Sequence, residues 1–165
     1  MIKRSIKLTK IVVKPFDQDI QSMMSEMLDT YHAGELSRKD PSELPKDIHI
    51  IEVDDEMVGY AVFWEYKKGN QLIHKAEKDY FNDDEKYLER DFYVDISDQS
   101  DFIFIEALDV MKDYEGNGYA AFFINWLKEN YPKKKLYVYS LDKTRNFWYK
   151  QGFETIGSTV WMTYN

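Results

Sequence analysis

The stretch with most chemistry in it is Asp113 to Asn130, DYEGNGYAAFFINWLKEN. Gly116 and Gly118 alternate with Glu115, Asn117 and Tyr119, and small Ala120 and Ala121 follow. Without a Cβ, glycine lets the backbone approach a bound phosphate closely. The first N–H groups of a helix have no intrahelical acceptor and point at whatever lies beyond its start. A glycine turn opening a helix is therefore a seat for an anion, and a cofactor with a pyrophosphate is its natural guest. The same glycines also fit a helix start that needs small residues for packing. The second chemical group is Glu106, a carboxylate inside the apolar run FIFIEALDV, Phe102 to Val110. Strict alternation along a strand would place it on one face with Phe104, Leu108 and Val110. A carboxylate buried among apolar side chains suits proton abstraction, and pairing with a nearby Lys or Tyr would account for it equally well.

Two other phosphate devices are excluded. The chain has no G-x-x-x-x-G-K-[ST], and no G-x-G-x-x-G followed by an acid at the end of a second strand.

The elements that must position these residues are legible as hydrophobic periods. Ile6 to Val13 reads as a first strand. Ile20, Met23, Met24, Met27, Leu28 and Tyr31 make one apolar face of an amphipathic helix that Asp17 can cap and Gly34 can end. Glu35 to Lys46, with Pro41 and Pro45, reads as a loop or short helix. Ile48 to Val53 and Met57 to Tyr66 form a hairpin around Asp54 and Asp55. After the glycine turn, Tyr119, Phe123, Trp126 and Leu127 recur at helical spacing. Lys135 to Ser140 reads as a strand. Asp142 can cap a short helix from Lys143 that Gly152 stops, and Glu154 to Ile156 with Thr159 to Tyr164 closes a terminal hairpin through Gly157. Strands and helices in this order give a mixed α/β sheet flanked by helices.

Several segments resemble the GCN5-related N-acetyltransferases (the GNAT family). Glu115 to Ala120, EGNGYA, looks like the family's motif Q/R-x-x-G-x-G/A, which holds the pyrophosphate of acetyl-CoA. Gly118 and Ala120 match, and Glu115 stands where the family has Gln or Arg. Glu52 to Ala61 looks like the hairpin between the family's second and third strands. Phe147 to Phe153, FWYKQGF, looks like its F-Y-x-K-x-G-F. The resemblance spans roughly residues 6 to 164. It implies a GNAT-like central twisted sheet in one domain, residues 1–165, with an insertion over 67–101 between the third and fourth strands. It implies that the strands Phe102–Val110 and Lys135–Ser140 splay around the pantetheine arm. It implies cofactor contacts from Leu108, Val110, Glu115, Gly116, Asn117, Gly118, Tyr119, Ala120, Phe147 and Trp148. A backbone N–H near Val110 would hold the thioester oxygen.

For the thiolate, the family places a tyrosine where this chain has Trp148, whose indole donates hydrogen bonds but no useful proton. Tyr149 is the catalytic candidate beside it, rotated by about 100° around the helix. Reaching the sulfur would require a shifted helix. Tyr139, or departure of the thiolate without a protein acid, are the other options. The expected activity is acetyl transfer from acetyl-CoA to a primary amine of a small molecule or peptide. The alternative is a CoA-binding sensor or interaction domain with little turnover.

Composition narrows the partners. A chain of 165 residues with 44% hydrophobic residues can build one core. No apolar run is long enough to span a membrane, and the basic start lacks the apolar stretch of a secretory signal. A cytoplasmic location is expected. Zero cysteines exclude disulfides and thiolate chemistry, and three dispersed histidines form no metal-ligand spacing. A net charge of −8 speaks against nucleic acid, and fits either attraction of cationic acceptors or simple solubility. The segment Lys75–Asp101 holds ten acids and four bases, or −6 of that charge, with Tyr80, Phe81, Tyr87, Phe92 and Tyr93. A short helix near Asp83–Arg90 is expected, and the segment reads either as a decorated surface excursion or as an acidic, aromatic lid beside the acceptor site. A homodimer is left open.

Overall fold

The structure is a computed structural model that describes residues 10–15, 47–67, 90–97, 99 and 101–165. The expected helix over 20–31, the loop over 35–46, positions 6–9 of the first strand and the insertion over 68–89 lie outside the described residues.

Seven strands form one mixed sheet in the order β1-β2-β3-β4-β5-β7-β6. They are β1 (Ile11–Pro15), β2 (Asp47–Val53), β3 (Glu56–Lys67), β4 (Asp101–Val110), β5 (Lys135–Tyr139), β6 (Glu154–Thr155) and β7 (Trp161–Tyr164). Every pairing is antiparallel except β4 with β5. The helices among the described residues are α1 (Arg90–Ser97), α2 (Tyr119–Asn130) and α3 (Arg145–Lys150).

The β2–β3 hairpin turns on Asp54 and Asp55, whose φ values are 51° and 69°. Two successive left-handed residues are what a two-residue hairpin turn demands, and aspartate tolerates that region better than most side chains. β1 ends at Pro15, which cannot donate to a ladder and so suits an edge strand.

Both faces of the sheet are covered. On one face Ile51, Val58, Ala61, Phe63, Ile103, Ile105, Leu136, Val138 and Met162 pack against Phe123, Ile124 and Leu127 of α2, with Trp148 and Phe153. That buried stripe of α2 is the helical repeat read from the sequence, with Ile124 added and Trp126 only half-buried. On the opposite face lie Phe92, Phe102, Tyr137, Ile156 and Trp161, with Phe104 against them. A second cluster, Ile50, Met57, Tyr60 and Val62 with Ala107, continues that face over β2 and β3.

A short helix before β4 occupies Arg90–Ser97, and the expected helix near Asp83–Arg90 lies, apart from Arg90, outside the described residues. It forms there because Phe92 stacks flat on Trp161, with ring centroids 3.9 Å apart, while Asp95 accepts hydrogen bonds from Lys135 Nζ and the Tyr137 hydroxyl. Those are tertiary contacts that no local period reports. Asp142 does not cap the next helix. It lies in a 3-10 turn, Asp142–Thr144, ahead of α3, and its carboxylate is 3.5 Å from the Arg145 guanidinium.

Candidate functional site

The site is built where β4 and β5 part. β4 pairs with β3 along its whole length, from Asp101 to Val110. β5 pairs only with Phe102, Ile103, Phe104 and Ile105, opposite Lys135 to Val138. Beyond Ile105 the two parallel strands diverge, and β5 takes β7 on its other side. The fork expected between these strands is present.

Which groups face the fork follows from the ladder. The Met111 N–H donates to the Val58 carbonyl at 2.8 Å, and the next pair inward is Val110 opposite Gly59. In an antiparallel ladder hydrogen-bonded and non-hydrogen-bonded pairs alternate, so the Val110 N–H points away from β3 and into the fork. Leu108 stands in the same phase, opposite Ala61. Gly59 permits this arrangement. A Cβ there would lie 2.5 Å from the Asp109 carbonyl oxygen and 3.2 Å from Val110 Cα. No motif reading singled out Gly59 for this reason; the signal was a lone glycine inside a strand.

Glu106 stands at the fork, but its face is set by a β-bulge. The register passes from Val62 opposite Ala107 to Phe63 opposite Ile105, which leaves Glu106 as the extra residue. A bulge resets alternation. Ile105 and Leu108 therefore both pack on the α2 face, whereas Phe104 and Ala107 lie on the opposite face. This corrects the strict-alternation reading, which grouped Glu106 with Phe104, Leu108 and Val110. Glu106 is the extra residue of the bulge, between Ile105 on the α2 face and Ala107 on the opposite one. It is half-buried, less enclosed than an apolar strand would suggest.

The glycine turn lies at the far end of β4. A 3-10 turn, Lys112–Tyr114, leads into Glu115, and Gly116 and Gly118 both take left-handed backbone, φ 76° and 83°. A Cβ at either would meet nothing within 4 Å, so the backbone is open to a guest. Phe122 N–H makes the first backbone bond of the helix, to the Gly118 carbonyl. The Tyr119, Ala120 and Ala121 N–H groups precede it in the unsatisfied first turn. The residues present fit a pyrophosphate. Asn117 turns inward: its side-chain amide donates to the Tyr114 and Glu115 carbonyls at 3.0 and 3.3 Å and holds the turn. The Glu115 side chain is exposed. The Tyr114 phenol is held above its ordinary value, first by a hydrogen bond to Glu56, then by burial and neighbouring acids.

The remaining candidates are spread out. Trp148 is 6% exposed, packed on Phe153 and Phe147 in the α2-side core, with Phe147 half-buried beside it. The Tyr149 hydroxyl lies 2.6 Å from Thr155 Oγ1, on β6 at the sheet edge beyond β7. Tyr139, at the end of β5, is 47% exposed with its ring edge-on to Trp161. Among the described residues no group of acids and histidines is placed to hold a metal ion. No described helix is long and apolar enough to cross a membrane.

Residues 17–153 match the acetyltransferase (GNAT) family. The chain belongs to that family. The fold agrees with solved GNAT structures. The N-acetyltransferase YlbP of Bacillus subtilis, solved with coenzyme A, is similar at 13% identity over 96% of this chain and 97% of that one, TM-score 0.58. An agmatine N-acetyltransferase is similar at 11% identity over 90% and 84%, TM-score 0.61. An arylalkylamine N-acetyltransferase-like protein 5b from a mosquito is similar at 12% over 90% and 85%, TM-score 0.59. At these identities the likeness establishes the fold. No curated protein matches the chain by sequence. The acyl donor of GNAT enzymes is acetyl-CoA, and the glycine turn is the part of this chain that fits it.

Proposed function

We propose that this GNAT enzyme moves an acetyl group from acetyl-CoA directly to a primary amine. The observation that carries the reading is the alignment of three groups at one fork. The open glycine turn caps α2, the Val110 N–H points between the strands, and Glu106 stands where they part. The backbone N–H groups of Gly116 to Ala120 would take the pyrophosphate, with Leu108 and Val110 along the pantetheine arm and Phe147 and Trp148 packing behind it. The acceptor then approaches the fork where Glu106 stands.

In the reaction the amine nitrogen bonds to the thioester carbon and the carbon–sulfur bond breaks. Glu106, directly or through one water, takes the amine proton. The Val110 N–H stabilises the charge that builds on the thioester oxygen. The sulfur leaves with the bonding pair. A thiol has an ordinary pKa of about 8.5, so near neutral pH a thiolate is a tolerable leaving group and solvent can protonate it. Tyr149 is given no step, because its hydroxyl would first have to leave Thr155. The amines named for two of the similar structures, agmatine and arylalkylamines, support an amine as acceptor.

The test has two arms. Calorimetry should detect acetyl-CoA binding, and thiol release should appear with at least one member of a panel of polyamines, aminoglycosides, amino acids, arylalkylamines and peptides. No binding at high acetyl-CoA would end the reading. Tight binding with no thiol release from any amine would favour a CoA-binding domain without turnover.

A further inference from the structure

We propose that Asn117 is a modification site: its spontaneous deamidation to aspartate or isoaspartate silences the donor seat, and bound acetyl-CoA protects it. The proposal rests on the transferase reading above for the guest of that seat, and adds a limit on how long an empty seat stays competent.

Asn117 is the one asparagine of the sequence that glycine follows. Gly118 has no Cβ to crowd its nitrogen, and its backbone turns freely. The step is an internal acyl substitution. The Gly118 nitrogen bonds to Asn117 Cγ and the bond from Cγ to Nδ2 breaks. Ammonia leaves with the proton that the Gly118 nitrogen gives up. Water then opens the five-membered imide at either carbonyl. The product is aspartate, or isoaspartate with the main chain running through the former side-chain carbon. Only water is consumed.

The turn provides what this step needs. Asn117 and Gly118 are exposed, and Gly118 sits on left-handed backbone with nothing within 4 Å of where a Cβ would be. Among the described residues the Gly118 N–H has no backbone acceptor. What holds the amide back is its own pair of bonds, to the Tyr114 carbonyl at 3.0 Å and the Glu115 carbonyl at 3.3 Å, both made by an exposed side chain. Such bonds are individually modest, and Nδ2 leaves them and returns. Conversion reverses their sign. A carboxylate only accepts, so its oxygens would face two carbonyl oxygens with no proton between them. It also adds a negative charge to a turn already flanked by Asp113 and Glu115, where the pyrophosphate should sit. Isoaspartate adds a carbon to the main chain and displaces the Gly118 N–H from its neighbours. Bound acetyl-CoA opposes the step by engaging that N–H, whose nitrogen is the attacking atom.

In the experiment the full chain is held at mildly alkaline pH with and without acetyl-CoA, and the tryptic peptide Asp113–Lys128 is followed by mass spectrometry. The same peptide carries Asn125, followed by Trp126 inside α2, as an internal reference. Asn117 should convert faster than Asn125 by about 10-fold or more. Acetyl-CoA at about ten times its Kd should slow the conversion by about 10-fold. The converted protein, separated by ion exchange, should bind acetyl-CoA about 10-fold more weakly by calorimetry, or worse. Asn117→Asp should reproduce that loss, with a cooperative melting transition to show that it folds. Conversion at Asn117 no faster than at Asn125, an equal rate with and without acetyl-CoA, or full affinity in both the converted protein and Asn117→Asp would overturn the inference and leave the transferase reading in place. If the wild type binds no acetyl-CoA, the transferase reading fails and the protection fails with it. The modification site is then judged by conversion alone: fast conversion at Asn117 supports it, and a rate no faster than at Asn125 overturns it.

Discussion

The two halves of β4 are alike in composition and opposite in surroundings. Phe102 to Ile105 is paired on both edges, to β3 and to β5, and its side chains alternate between two packed faces. Glu106 to Val110 keeps only β3, begins with a bulge, and is half-buried or exposed throughout. The first half is scaffold. The second has traded one ladder for free backbone donors and a carboxylate at an opening. In a sheet, a binding site of this kind is made by withholding a partner strand. Gly59 matters because it draws the surviving partner close enough to fix where the freed N–H groups point.

Replacing the residue that the bulge presents should have the largest effect. Glu106→Gln should keep acetyl-CoA affinity and lower kcat at neutral pH by roughly 10²–10⁴-fold, because the amide cannot accept the proton. Equal turnover would remove Glu106 from the chemistry and reduce the second half of β4 to a donor-binding edge.

The closeness of β3 to that half is tested by Gly59→Val. The new Cβ meets main-chain atoms, so the strands themselves must shift. Overpacking of this kind costs about 1–3 kcal/mol and should lower Tm by several degrees. Activity should fall further than stability, since the Val110 N–H moves with its strand. An unchanged Tm would show that the β3–β4 approach is looser than the register implies.

The glycine turn beyond the freed half is tested by charge. Gly118→Asp puts a carboxylate beside the pyrophosphate and a side chain on left-handed backbone, a strain of about 1–2 kcal/mol. Calorimetry should show acetyl-CoA affinity reduced by about 10-fold or more. Glu115→Arg should act in the opposite direction, tightening binding a few-fold, and less so as salt rises. An affinity indifferent to both changes would place the donor elsewhere.

The smallest effect concerns the contact between Glu56 of β3 and Tyr114, just ahead of the glycine turn. Glu56 accepts a hydrogen bond from the Tyr114 phenol, the main reason it titrates above its ordinary value of 10.0. Glu56→Gln should bring this phenol down, visible as an earlier step in the ultraviolet titration of phenolate relative to the wild type. A raised acid is a folded state that holds its proton, so the contact stabilises below pH about 10 and is lost as the pH rises through the raised value. Superimposable titrations would mean that Tyr114 and Glu56 are not joined in solution.

Local signals carried far in this protein. The glycine pair, the helix after it, the Asp54–Asp55 turn and the stop at Gly152 all depend on φ preferences and periods within a few residues, and each is found where its residues predict it. The anion seat was legible for the same reason: its donors are backbone N–H groups of consecutive residues. The direction of Glu106 was not legible. A bulge is one extra residue relative to a partner strand some forty positions earlier, and nothing within β4 announces it. Nor could the sequence place Tyr149 against Thr155, because helix rotation is settled by packing between segments distant in the chain. The sequence by itself determined that a strand, a glycine turn and a helix would present backbone donors to an anion. Only the tertiary structure decided which side chains meet that anion's far end, since strand pairing and its interruption are long-range events that local residue preferences do not fix.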